Sequence, residues 1–442
     1  MQGLQTIGIG FLGLGVVGQG VWKHIEANRE ALEGRLGVRL KLIIAGVKSP
    51  KKRRSIEIPK GQITTDLESV VNHPEVDIVC ELMGGTELAR ALTLRAFEQG
   101  KTVVTANKAL ICEHGRSLFS AARKGHGHYF FEASVAGGIP VIKTIQEGLV
   151  ANRFPLIFGI LNGTSNYILT RMEREGLSFD EILVDARKLG YVEADESLDL
   201  DGIDAAHKAA ILTYLAHGKW VPLKKMLIDG IRDLSVLDIS MARELGYKLK
   251  LIASIRTLGE EANLAISVLP SLISADEVVA GVDDVFNAVS IHGDIVGTTV
   301  LIGRGAGQDA TSSSVISDIA DAVRALTGRP VHEETSRPPI RKERSLAALD
   351  EIKGRFYLRL RVVDQPGVLA KITQVMADEK ISLATVNQLT DTDAGVADLF
   401  LTTHEASEAA IGRLISRLKR LRKVVLETPL LLRIFETQPS EN

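Results

Sequence analysis

The chain has 442 residues, with 53 basic and 55 acidic side chains, so its formal net charge at neutral pH is −2. That length exceeds what one compact core usually accommodates, and it predicts two or three domains. The near-neutral charge gives no reason to expect nucleic acid or an acidic membrane as a partner, and no apolar run approaches the roughly 20 residues of a membrane span. The lack of a secretory signal and of CxxC spacing favours a reduced, cytoplasmic protein.

Residues 1–130 alternate short apolar strands with amphipathic helices. This βαβα order predicts a parallel sheet covered on both faces, in an N-terminal Rossmann dinucleotide-binding domain of the α/β class. The predicted strands are residues 6–11, 40–47, 76–82 and 102–105. The predicted helices are residues 16–33, 66–71, 87–99 and 115–124.

A glycine-rich turn separates the first predicted strand from the first predicted helix. Its glycines permit a tight turn and close approach of a pyrophosphate, while the helix N-terminus offers N–H groups to phosphate. The alternative is a tight turn without a ligand. We assign cofactor binding to the whole turn: Gly13, Leu14, Gly15, Val16, Val17 and Gly18.

The segment after the second predicted strand indicates which dinucleotide is preferred. NAD sites usually carry an acid there to hold the ribose 2′-hydroxyl. Here the sequence is Lys48-Ser-Pro-Lys-Lys-Arg-Arg, with no acid. A 2′-phosphate suits this basic loop, so we predict NADP(H) preferred over NAD(H), with Lys48 in contact. The alternative is a solvated basic loop.

A further loop, Val-Thr105-Ala-Asn-Lys108, follows the strand predicted at 102–105. Ligands of open α/β sheets gather at the carboxyl ends of parallel strands. Thr105 can bond a nicotinamide or ribose oxygen, and Lys108 can reach a reacting group. Taken alone, Lys108 is more typical of a surface lysine.

Residues 131–334 combine long helices with strands and predict an α+β domain. A last helix is predicted at about residues 310–327. The other predicted helices are residues 140–149, 167–175, 179–189 and 204–216. The predicted strands are residues 156–161, 250–257, 285–289 and 298–303.

The segment LGYVEADESLDLDGIDAAHK at 189–208 is rich in carboxylates. Asp204 and Lys208 are spaced i, i+4, so they share one helix face and can pair. Such a segment can hold a cationic small molecule beside a proton carrier. A solvated acidic loop is the alternative. An EF-hand is excluded because Lys208 would occupy position twelve, where a bidentate glutamate is required.

The stretch 335–352 contains proline, is charged and lacks apolar periodicity, so it is predicted as a linker. Residues 353–442 then show a βαββαβ order, which predicts a separate ferredoxin-like domain. Its predicted elements are strand 355–363, helix 367–378, strands 382–388 and 397–403, helix 408–419 and strand 424–426.

Seven segments, taken in order, resemble homoserine dehydrogenase in its longer bacterial form. They are GLGVVG at 13–18, CELMGGTE at 80–87, VTANKAL at 104–110, EASVAGGIP at 132–140, GILNGTSNYILT at 159–170, the 189–208 segment and GRGAG at 303–307. The resemblance covers about residues 5–330. It implies that residues 131–334 form the catalytic and dimerisation domain and that the last helix, at about residues 310–327, returns to the nucleotide domain. The tail, with VVDQPGVLAKI at 362–372 and ISLATVNQ at 381–388, is similar to an ACT domain, a small-ligand regulatory module.

The resemblance implies reversible oxidation of L-homoserine to L-aspartate 4-semialdehyde by NAD(P)+, on the route to threonine, methionine and isoleucine. It makes Lys208 the catalytic proton donor and acceptor, with Lys108 a second lysine at the reacting oxygen and Asp204 steadying Lys208. Glu193 and Asp199 match acids of the substrate site, where they can hold the ammonium group.

The resemblance also implies roles for several glycine-rich turns. Gly305 and Gly307 match glycines that return to the cofactor. A monovalent-cation site, usually sodium, is implied at Glu132, Val135, Gly137 and Ile139. A glycine-rich turn without an ion is the alternative for that site. Gln308-Asp-Ala departs from the family's usual turn and leaves the cofactor contacts there open.

The tail offers a candidate effector site. Asp364 and Gly367 lie between the first strand and helix of the βαββαβ unit, where N–H groups can meet an amino-acid carboxylate, and Gln388 lies on a later strand. Threonine, as the pathway end product, is the expected effector. The alternative is an ACT domain that only dimerises. The apolar helices of the central region and the ACT domain favour a homodimer or homotetramer.

Two rival functions remain open from sequence. One is a non-catalytic amino-acid sensor built on a dehydrogenase body, against which the intact Lys108, Lys208 and acidic segment argue. The other is a semialdehyde dehydrogenase acting on an acyl phosphate, which needs a cysteine nucleophile. Cys80 and Cys112 have no evident base partner, so this function ranks lower.

Overall fold

A computed structural model describes residues 4–189, 196–259, 263–328, 345–391 and 394–436. The chain is an α/β protein with a nucleotide-binding domain, a central α+β domain and a C-terminal ferredoxin-like domain, built on two sheets. Within the described ranges, no helix is both long and apolar enough to cross a membrane.

The nucleotide-binding domain contains a six-stranded parallel sheet in the order β3-β2-β1-β4-β5-β6. Because the strand order reverses between β1 and β4, a crevice opens at the carboxyl ends of these strands, where dinucleotides bind in this fold. The strands are β1 (Thr6–Leu12), β2 (Arg39–Gly46), β3 (Ile63–Thr64), β4 (Ile78–Glu81), β5 (Thr102–Thr105) and β6 (Tyr129–Phe130). The helices are α1 (Val16–Ala27), α2 (Arg29–Leu36), α3 (Leu67–Asn72), α4 (Glu87–Glu98) and α5 (Lys108–Lys124).

Two helices of this domain differ from the sequence prediction. The helix predicted over 16–33 is interrupted at Asn28, which separates α1 from α2. Helix α5 begins at Lys108, seven residues before the predicted start at Gly115. Asn107 caps it, since its Oδ1 accepts a hydrogen bond from Leu110 N at 3.1 Å, and this capping residue type is typical of a helix start.

The central domain places helices on one face of the sheet β12-β11-β7-β9-β10. Strand β10 lay outside the predicted elements. The strands are β7 (Leu156–Ile160), β8 (Leu227–Ile228), β9 (Tyr247–Leu258), β10 (Asn263–Ser274), β11 (Phe286–Gly293) and β12 (Gly297–Arg304). The α-helices are α6 (Val141–Lys143), which continues as a π-helical turn (Thr144–Gly148), α7 (Gly163–Glu175), α8 (Phe179–Lys188), α9 (Ser197–Leu200), α10 (Ile203–His217), α11 (Val236–Glu244) and α12 (Gln308–Leu326).

Helix α10 is the buried axis of the central domain. It follows Gly202, whose left-handed conformation (φ 79°) suits glycine, and it packs against α5, β9 and β10. Apart from Ile203 and His207, its residues are buried. Asp204 and Lys208 are therefore withdrawn from water although both are charged residue types.

Helix α12 returns to the nucleotide-binding domain and packs across α1. Its residues Val315 and Ile319 share a core with Phe11 and Trp22 of that domain. Residues 308–310, where the sequence differs from the family's usual turn, form the start of this helix. There Asp309 Oδ1 lies 2.7 Å from His24 Nε2 of α1, so the unexpected acid joins the two helices at the surface.

The C-terminal domain has the strand order β17-β13-β15-β14, which is the 4-1-3-2 order of a ferredoxin-like βαββαβ unit. The last strand was predicted at 424–426, but that segment makes only an isolated bridge between Val425 and Val362. The strand lies at Leu430–Phe435 instead. The elements are β13 (Lys353–Val363), α13 (Val368–Asp378), β14 (Leu383–Asp391), β15 (Val396–Thr403), β16 (Ala406–Ser407), α14 (Glu408–Leu418) and β17 (Leu430–Phe435).

Strand β17 joins the C-terminal domain to the central domain. It pairs antiparallel with β13 on one side and parallel with β10 on the other. Part of the predicted linker also docks on β10, since Ser345 O accepts from Leu264 N at 2.8 Å and Ala347 N donates to Leu264 O at 2.9 Å. The two domains therefore share one continuous sheet.

An ion pair adds to this junction. Arg359 of β13 lies with its Nη1 2.6 Å from Oδ2 of Asp238, which is fully buried in α11 of the central domain. Tyr357 of β13 donates to the other carboxylate oxygen at 3.3 Å. Burial raises the pKa of Asp238, while Ser235 and Arg359 oppose that rise.

Candidate active site

Two lysines meet on one carboxylate where the nucleotide-binding and central domains face each other. Asp204 Oδ2 lies 2.7 Å from Lys208 Nζ, one turn further along α10. Its other oxygen, Oδ1, lies 2.9 Å from Lys108 Nζ, at the first residue of α5. The predicted i, i+4 pair is present, and the structure adds Lys108 to it. Lys208 is 7% exposed, whereas the Lys108 side chain is 38% exposed.

The charge on Asp204 is held by these neighbours. Burial alone raises the pKa of a carboxyl group, but the ammonium groups of Lys208 and Lys108 outweigh it and hold the pKa of Asp204 well below its usual range. Asp204 is therefore an anion at neutral pH and pairs with both lysines.

Asn162 organises the acids of this site and was not among the predicted residues. Its Nδ2 donates to Asp199 Oδ1 at 2.7 Å and to Asp204 Oδ2 at 3.0 Å. Its Oδ1 accepts from Ser165 N at 2.8 Å and caps α7. The sequence feature that could have identified Asn162 is its residue type, which is typical of an N-cap, directly before a helix in the 159–170 segment. The preceding Leu161 carbonyl accepts from Lys208 Nζ at 2.6 Å.

Asp199 is half-buried on α9, and Asn162 links it to Asp204. Glu193, the other predicted substrate acid, lies outside the described residues. Two further acids of the 189–208 segment form ion pairs. Glu196 Oε2 lies 2.7 Å from Arg187 Nη2, and Asp201 Oδ1 accepts from Arg232 Nε at 2.5 Å.

The glycine turn has the geometry that its sequence predicts. Gly13 has φ 98°, and a Cβ there would lie 2.7 Å from the Leu82 carbonyl oxygen. A Cβ on Gly18 would lie 2.5 Å from the Gly13 carbonyl oxygen. Only glycine fits either position. Gly15 is the N-cap of α1, so the N–H groups of this helix open toward the crevice.

The Thr105 hydroxyl is turned toward a buried carboxylate. The residue is fully buried, and its Oγ1 donates to Glu81 Oε2 at 2.7 Å while accepting from Asn107 N at 3.0 Å. The hydroxyl oxygen keeps one further lone pair. The contact between Thr105 and the cofactor stays a prediction.

The basic loop after β2 exposes most of its charges. Lys48, Lys51, Lys52 and Arg53 are all exposed, and among the described residues none of them forms an ion pair. Arg54 instead folds the loop by donating to its carbonyl oxygens. The loop is fixed beside the glycine turn because Ser55 N donates at 2.7 Å to the Gln19 side chain, which itself donates to Leu14 O and Gly15 O.

The predicted glycines of the 303–307 segment lie against the predicted cation turn. A Cβ on Gly137 would lie 2.4 Å from the Gly305 carbonyl oxygen, and Gly138 N donates to Arg304 O at 3.1 Å. Gly307, with φ 109°, is the N-cap of α12. The first turns of α12 face α1, since Ser312 Oγ donates to the Val17 carbonyl at 3.3 Å.

The buried Glu132 already has partners. Its two carboxylate oxygens accept from Ile142 N at 2.8 Å and Lys143 N at 2.9 Å. The carbonyl of Gly137 accepts from Ser314 Oγ at 2.7 Å, and that of Ile139 accepts from Val141 N at 2.8 Å. Carbonyl oxygens have two lone pairs, so these contacts leave one position on each for an ion.

Asp318 of α12 is a second buried acid beside this turn, and it was not among the predicted residues. Its Oδ2 accepts from Glu132 N at 2.8 Å. Burial, together with the charge of Glu132, raises the pKa of Asp318. Burial also raises the pKa of Glu132, to about 7. Lys143 is the nearby cation, pairing with Asp321. Asp321 is itself buried and pairs with Arg324 as well as with Lys143.

Neither cysteine is placed as a nucleophile. Cys80 is fully buried in β4, and burial raises the pKa of its thiol. Burial likewise raises the pKa of the Cys112 thiol to about 12. Because the thiolate is the reactive form, both groups are inert thiols at neutral pH. The acyl-phosphate chemistry considered from the sequence has no support here.

The three predicted effector residues lie together on the surface of the C-terminal domain. Gln388 Nε2 donates to Asp364 Oδ1 at 3.4 Å. Gly367, with φ 88°, is the N-cap of α13. All three residues are exposed, and they border β14, an edge strand of the sheet.

Comparison with protein-family models gives three matches along the chain. Residues 13–132 match "Homoserine dehydrogenase, NAD binding domain", residues 140–320 match "Homoserine dehydrogenase" and residues 356–423 match "ACT domain".

Curated relatives and solved structures extend these matches over nearly the whole chain. The homoserine dehydrogenase of Pseudomonas aeruginosa is 38% identical over 425 residues, covering 95% of this chain and 97% of its own. That of Bacillus subtilis is 35% identical over 430 residues, covering 95% and 96%. A crystal structure of a homoserine dehydrogenase from Thiobacillus denitrificans superimposes with a TM-score of 0.91 at 38% identity, covering 99% of this chain and 100% of that one. A hyperthermophilic archaeal homoserine dehydrogenase in complex with NADPH has a TM-score of 0.61 at 26% identity, covering 74% and 99%.

Proposed function

The chain belongs to the homoserine dehydrogenase family, and on that basis we propose that it reversibly reduces L-aspartate 4-semialdehyde to L-homoserine. This reaction would serve threonine, methionine and isoleucine biosynthesis. The observation that carries the proposal is the Lys108–Asp204–Lys208 arrangement. It provides proton-carrying groups where the central domain faces the carboxyl ends of the Rossmann strands, and an oxidoreductase of this kind needs them there.

The charged groups of the site bind different parts of the substrate. Asp199, with Glu193, binds the substrate ammonium through charge-assisted hydrogen bonds. Lys108 is partly exposed, so it can meet the incoming substrate. Lys208 donates a proton to the aldehyde oxygen during reduction and takes it back from the hydroxyl during oxidation. Asp204 keeps Lys208 in place through their ion pair.

The residues around the crevice fit a nicotinamide dinucleotide. Gly13, Gly15 and Gly18 permit a pyrophosphate to approach the N-terminus of α1. Gly305 and Gly307 border the same crevice from the central domain. The cofactor supplies the hydride when bound, and the protein positions and polarises the substrate.

We assign a preference for NADP(H) over NAD(H). The basic loop supports it, because Lys48 and Arg53 are exposed and the loop is anchored beside the glycine turn through Ser55 and Gln19. No acidic residue stands at the end of β2 to accept a ribose 2′-hydroxyl. A 2′-phosphate is therefore the better electrostatic match.

We assign the turn around Glu132 to a sodium ion. The carbonyl oxygens of Val135, Gly137 and Ile139 would supply ligands, with Glu132 supplying charge. The close approach of two buried acids, with Asp318 Oδ2 accepting from Glu132 N at 2.8 Å, supports an ion there. Its role is structural, since the turn packs against Gly305 of the cofactor crevice.

We assign threonine as the effector of the C-terminal domain. Asp364 and Gln388 lie side by side, and the N-terminus of α13 at Gly367 can receive a carboxylate. Asp364 then meets the ammonium group. Addition of threonine should inhibit the enzyme, and Asp364→Ala should remove that inhibition while the uninhibited rate is retained.

We propose a cytoplasmic homodimer or homotetramer. Both ends of the long sheet are exposed edge strands, β12 and β14. Ile302 of β12 and Val386 and Leu389 of β14 leave apolar side chains in solvent, and such edges favour pairing with another copy. Sedimentation of the purified protein measures the state.

The test of the main proposal is NADPH oxidation by the purified protein in the presence of L-aspartate 4-semialdehyde. Turnover to homoserine, identified chromatographically, is the expected result. A protein that binds threonine but turns over neither semialdehyde nor homoserine would be the amino-acid sensor considered from the sequence.

A further inference from the structure

Glu81 is a buried carboxylate that the mechanism above does not use. It is the last residue of β4 and is fully buried, with Leu12 of β1 as its partner on one side and Thr105 of β5 on the other. It therefore lies at the carboxyl ends of the three strands that form the floor of the crevice. Among the described residues, no lysine or arginine forms an ion pair with it.

We propose that Glu81 is a positioning residue for the reaction, which acts through Thr105 and Asn107 to hold Lys108 against Asp204. The inference rests on the proposed function, because it concerns the same site.

The contacts form an unbroken chain from the sheet to the lysine. Glu81 Oε1 accepts from Met83 N at 3.0 Å, and Oε2 accepts from Thr105 Oγ1 at 2.7 Å. Thr105 Oγ1 then accepts from Asn107 N at 3.0 Å. Asn107 is the N-cap of α5, and the next residue is Lys108.

A second branch fixes the same helix end from the opposite side. Asn107 Nδ2 donates to the Gly85 carbonyl at 2.9 Å, so the loop after β4 is tied to α5. Glu81 holds the start of that loop through Met83 N. Both supports of Asn107 thus return to one carboxylate, and the first turn of α5 is fixed relative to the sheet.

Burying a carboxylate at this position costs free energy that burying an apolar side chain does not. Burying a charge without a counter-ion is unfavourable unless several donors satisfy it. Shape alone does not require it, because an apolar or amide side chain of similar size also fills the space. What the anion adds is the ability to accept from Met83 N–H and Thr105 O–H at once with no donor of its own.

The protonation state of Glu81 therefore matters for this chain of contacts. Burial raises its pKa to about 7, against hydrogen bonds from Thr105, Met83 and Asn107 that lower it. Tyr129 of β6 is the other titratable group here; burial and the charge of Glu81 both raise its pKa, so it stays neutral. Protonated Glu81 resembles glutamine, since one of its oxygens becomes a donor and opposes the Thr105 O–H or the Met83 N–H.

The experiment compares four variants by kcat/KM for aspartate 4-semialdehyde between pH 6 and pH 9, with NADPH affinity measured separately by fluorescence titration. Glu81→Gln removes the charge at constant shape. Thr105→Val removes the next member of the chain, and Thr105→Ser restores its hydroxyl. Asp77→Asn is the matched control, because Asp77 also accepts from a backbone N–H, that of Gly8 at 2.8 Å, but lies at the amino end of β4.

We expect Glu81→Gln and Thr105→Val each to lower kcat/KM about tenfold at pH 8.5, while the Kd for NADPH changes less than about threefold. Thr105→Ser should recover most of the loss of Thr105→Val. The ratio of wild-type to Glu81→Gln activity should shrink toward one at pH 6, where the wild-type carboxyl is protonated. Asp77→Asn should stay within about twofold of wild type.

Three results overturn the inference. They are a Glu81→Gln enzyme within twofold of wild type at pH 8.5, a loss that is equal at every pH, and a loss equalled by Asp77→Asn. If Glu81→Gln does not fold, the comparison of Thr105→Val with Thr105→Ser decides by the same measure, and equal activity of the two overturns the inference. An inactive wild type refutes the proposed function instead, so the two failures are separate.

Discussion

Lys108 and Asp204 form an ion pair of 2.9 Å between the nucleotide-binding domain and the central domain. Asp204 is already paired with Lys208 inside the central domain, so the contact to Lys108 adds a second cation to one anion. The two ammonium groups suit a substrate that carries a carboxylate and develops negative charge on oxygen. The site therefore depends on how the two domains are held together.

Lys208 is expected to carry the proton, so Lys208→Ala should lower kcat by about 10²–10⁴-fold, the usual contribution of general acid–base catalysis. The Kd for NADPH should be unchanged, because Lys208 contacts Asp204 and the Leu161 carbonyl rather than the glycine turn. Steady-state kinetics and fluorescence titration measure the two quantities. Lys41→Ala, which removes an exposed lysine paired with Glu75, is the control. Full activity of Lys208→Ala would remove it from the mechanism.

Asp204→Asn should destabilise the protein at neutral pH by about 3 kcal/mol, since it leaves the buried Lys208 without its counter-ion. The pKa of Asp204 is lowered in the folded state. Its contribution to stability is therefore complete above the unfolded-state pKa of about 3.9 and is lost as the pH falls through the lower folded value. Urea unfolding between pH 3 and pH 7 tests this. A difference between variant and wild type that persists undiminished at pH 3 would contradict it.

Charge reversal in the basic loop should change cofactor preference. The double variant Lys48→Glu/Arg53→Glu should lower kcat/KM for NADPH at least about tenfold, because each charge-assisted contact to a 2′-phosphate is replaced by repulsion. The value for NADH should change little. The control is Lys60→Glu, which reverses one charge at an exposed residue beyond the Ser55 anchor. Equal losses with both cofactors would mean that the loop does not select the 2′-phosphate.

Arg359→Ala should destabilise the protein by about 3 kcal/mol, because it leaves the fully buried Asp238 unpaired. Arg361 provides the control. It pairs with Asp398 within the C-terminal domain and is 37% exposed, so Arg361→Ala should cost less than about 1 kcal/mol. Thermal unfolding of both variants measures the difference. If the two variants lose the same stability, the ion pair at the junction stabilises the protein no more than the exposed pair of Arg361 does.

The sequence predicted the parts of this molecule that depend on local spacing. Asp204 and Lys208 could be paired in advance because helical periodicity alone brings residues four apart together. The glycine turn could be assigned because Gly13 and Gly18 occupy positions where a Cβ would collide with backbone. Both predictions need only one segment of chain and its immediate neighbours.

Contacts between distant segments were beyond such reasoning. Asn162 and Asp318 look like ordinary polar residues until the fold places them against Asp204 and Glu132. The direction of the Thr105 hydroxyl depends on Glu81, which lies 24 residues earlier in the chain. Strand β10 contains Pro270, which weakens any strand prediction. The extent of α5 was missed because Asn107, its cap, was interpreted as part of a loop.

The position of β17 bears on the order in which the protein can assemble. Ile273 of β10 pairs with Phe435, 162 residues later, so part of the edge of β10 stays open while the ribosome makes the C-terminal domain. Pairings between such distant segments form slowly because a long loop must close first. An exposed strand edge in a nascent chain is also a site of aggregation. Chains released before β17 should therefore be targets for chaperones, even though every residue of the Lys108–Asp204–Lys208 site has already been synthesised.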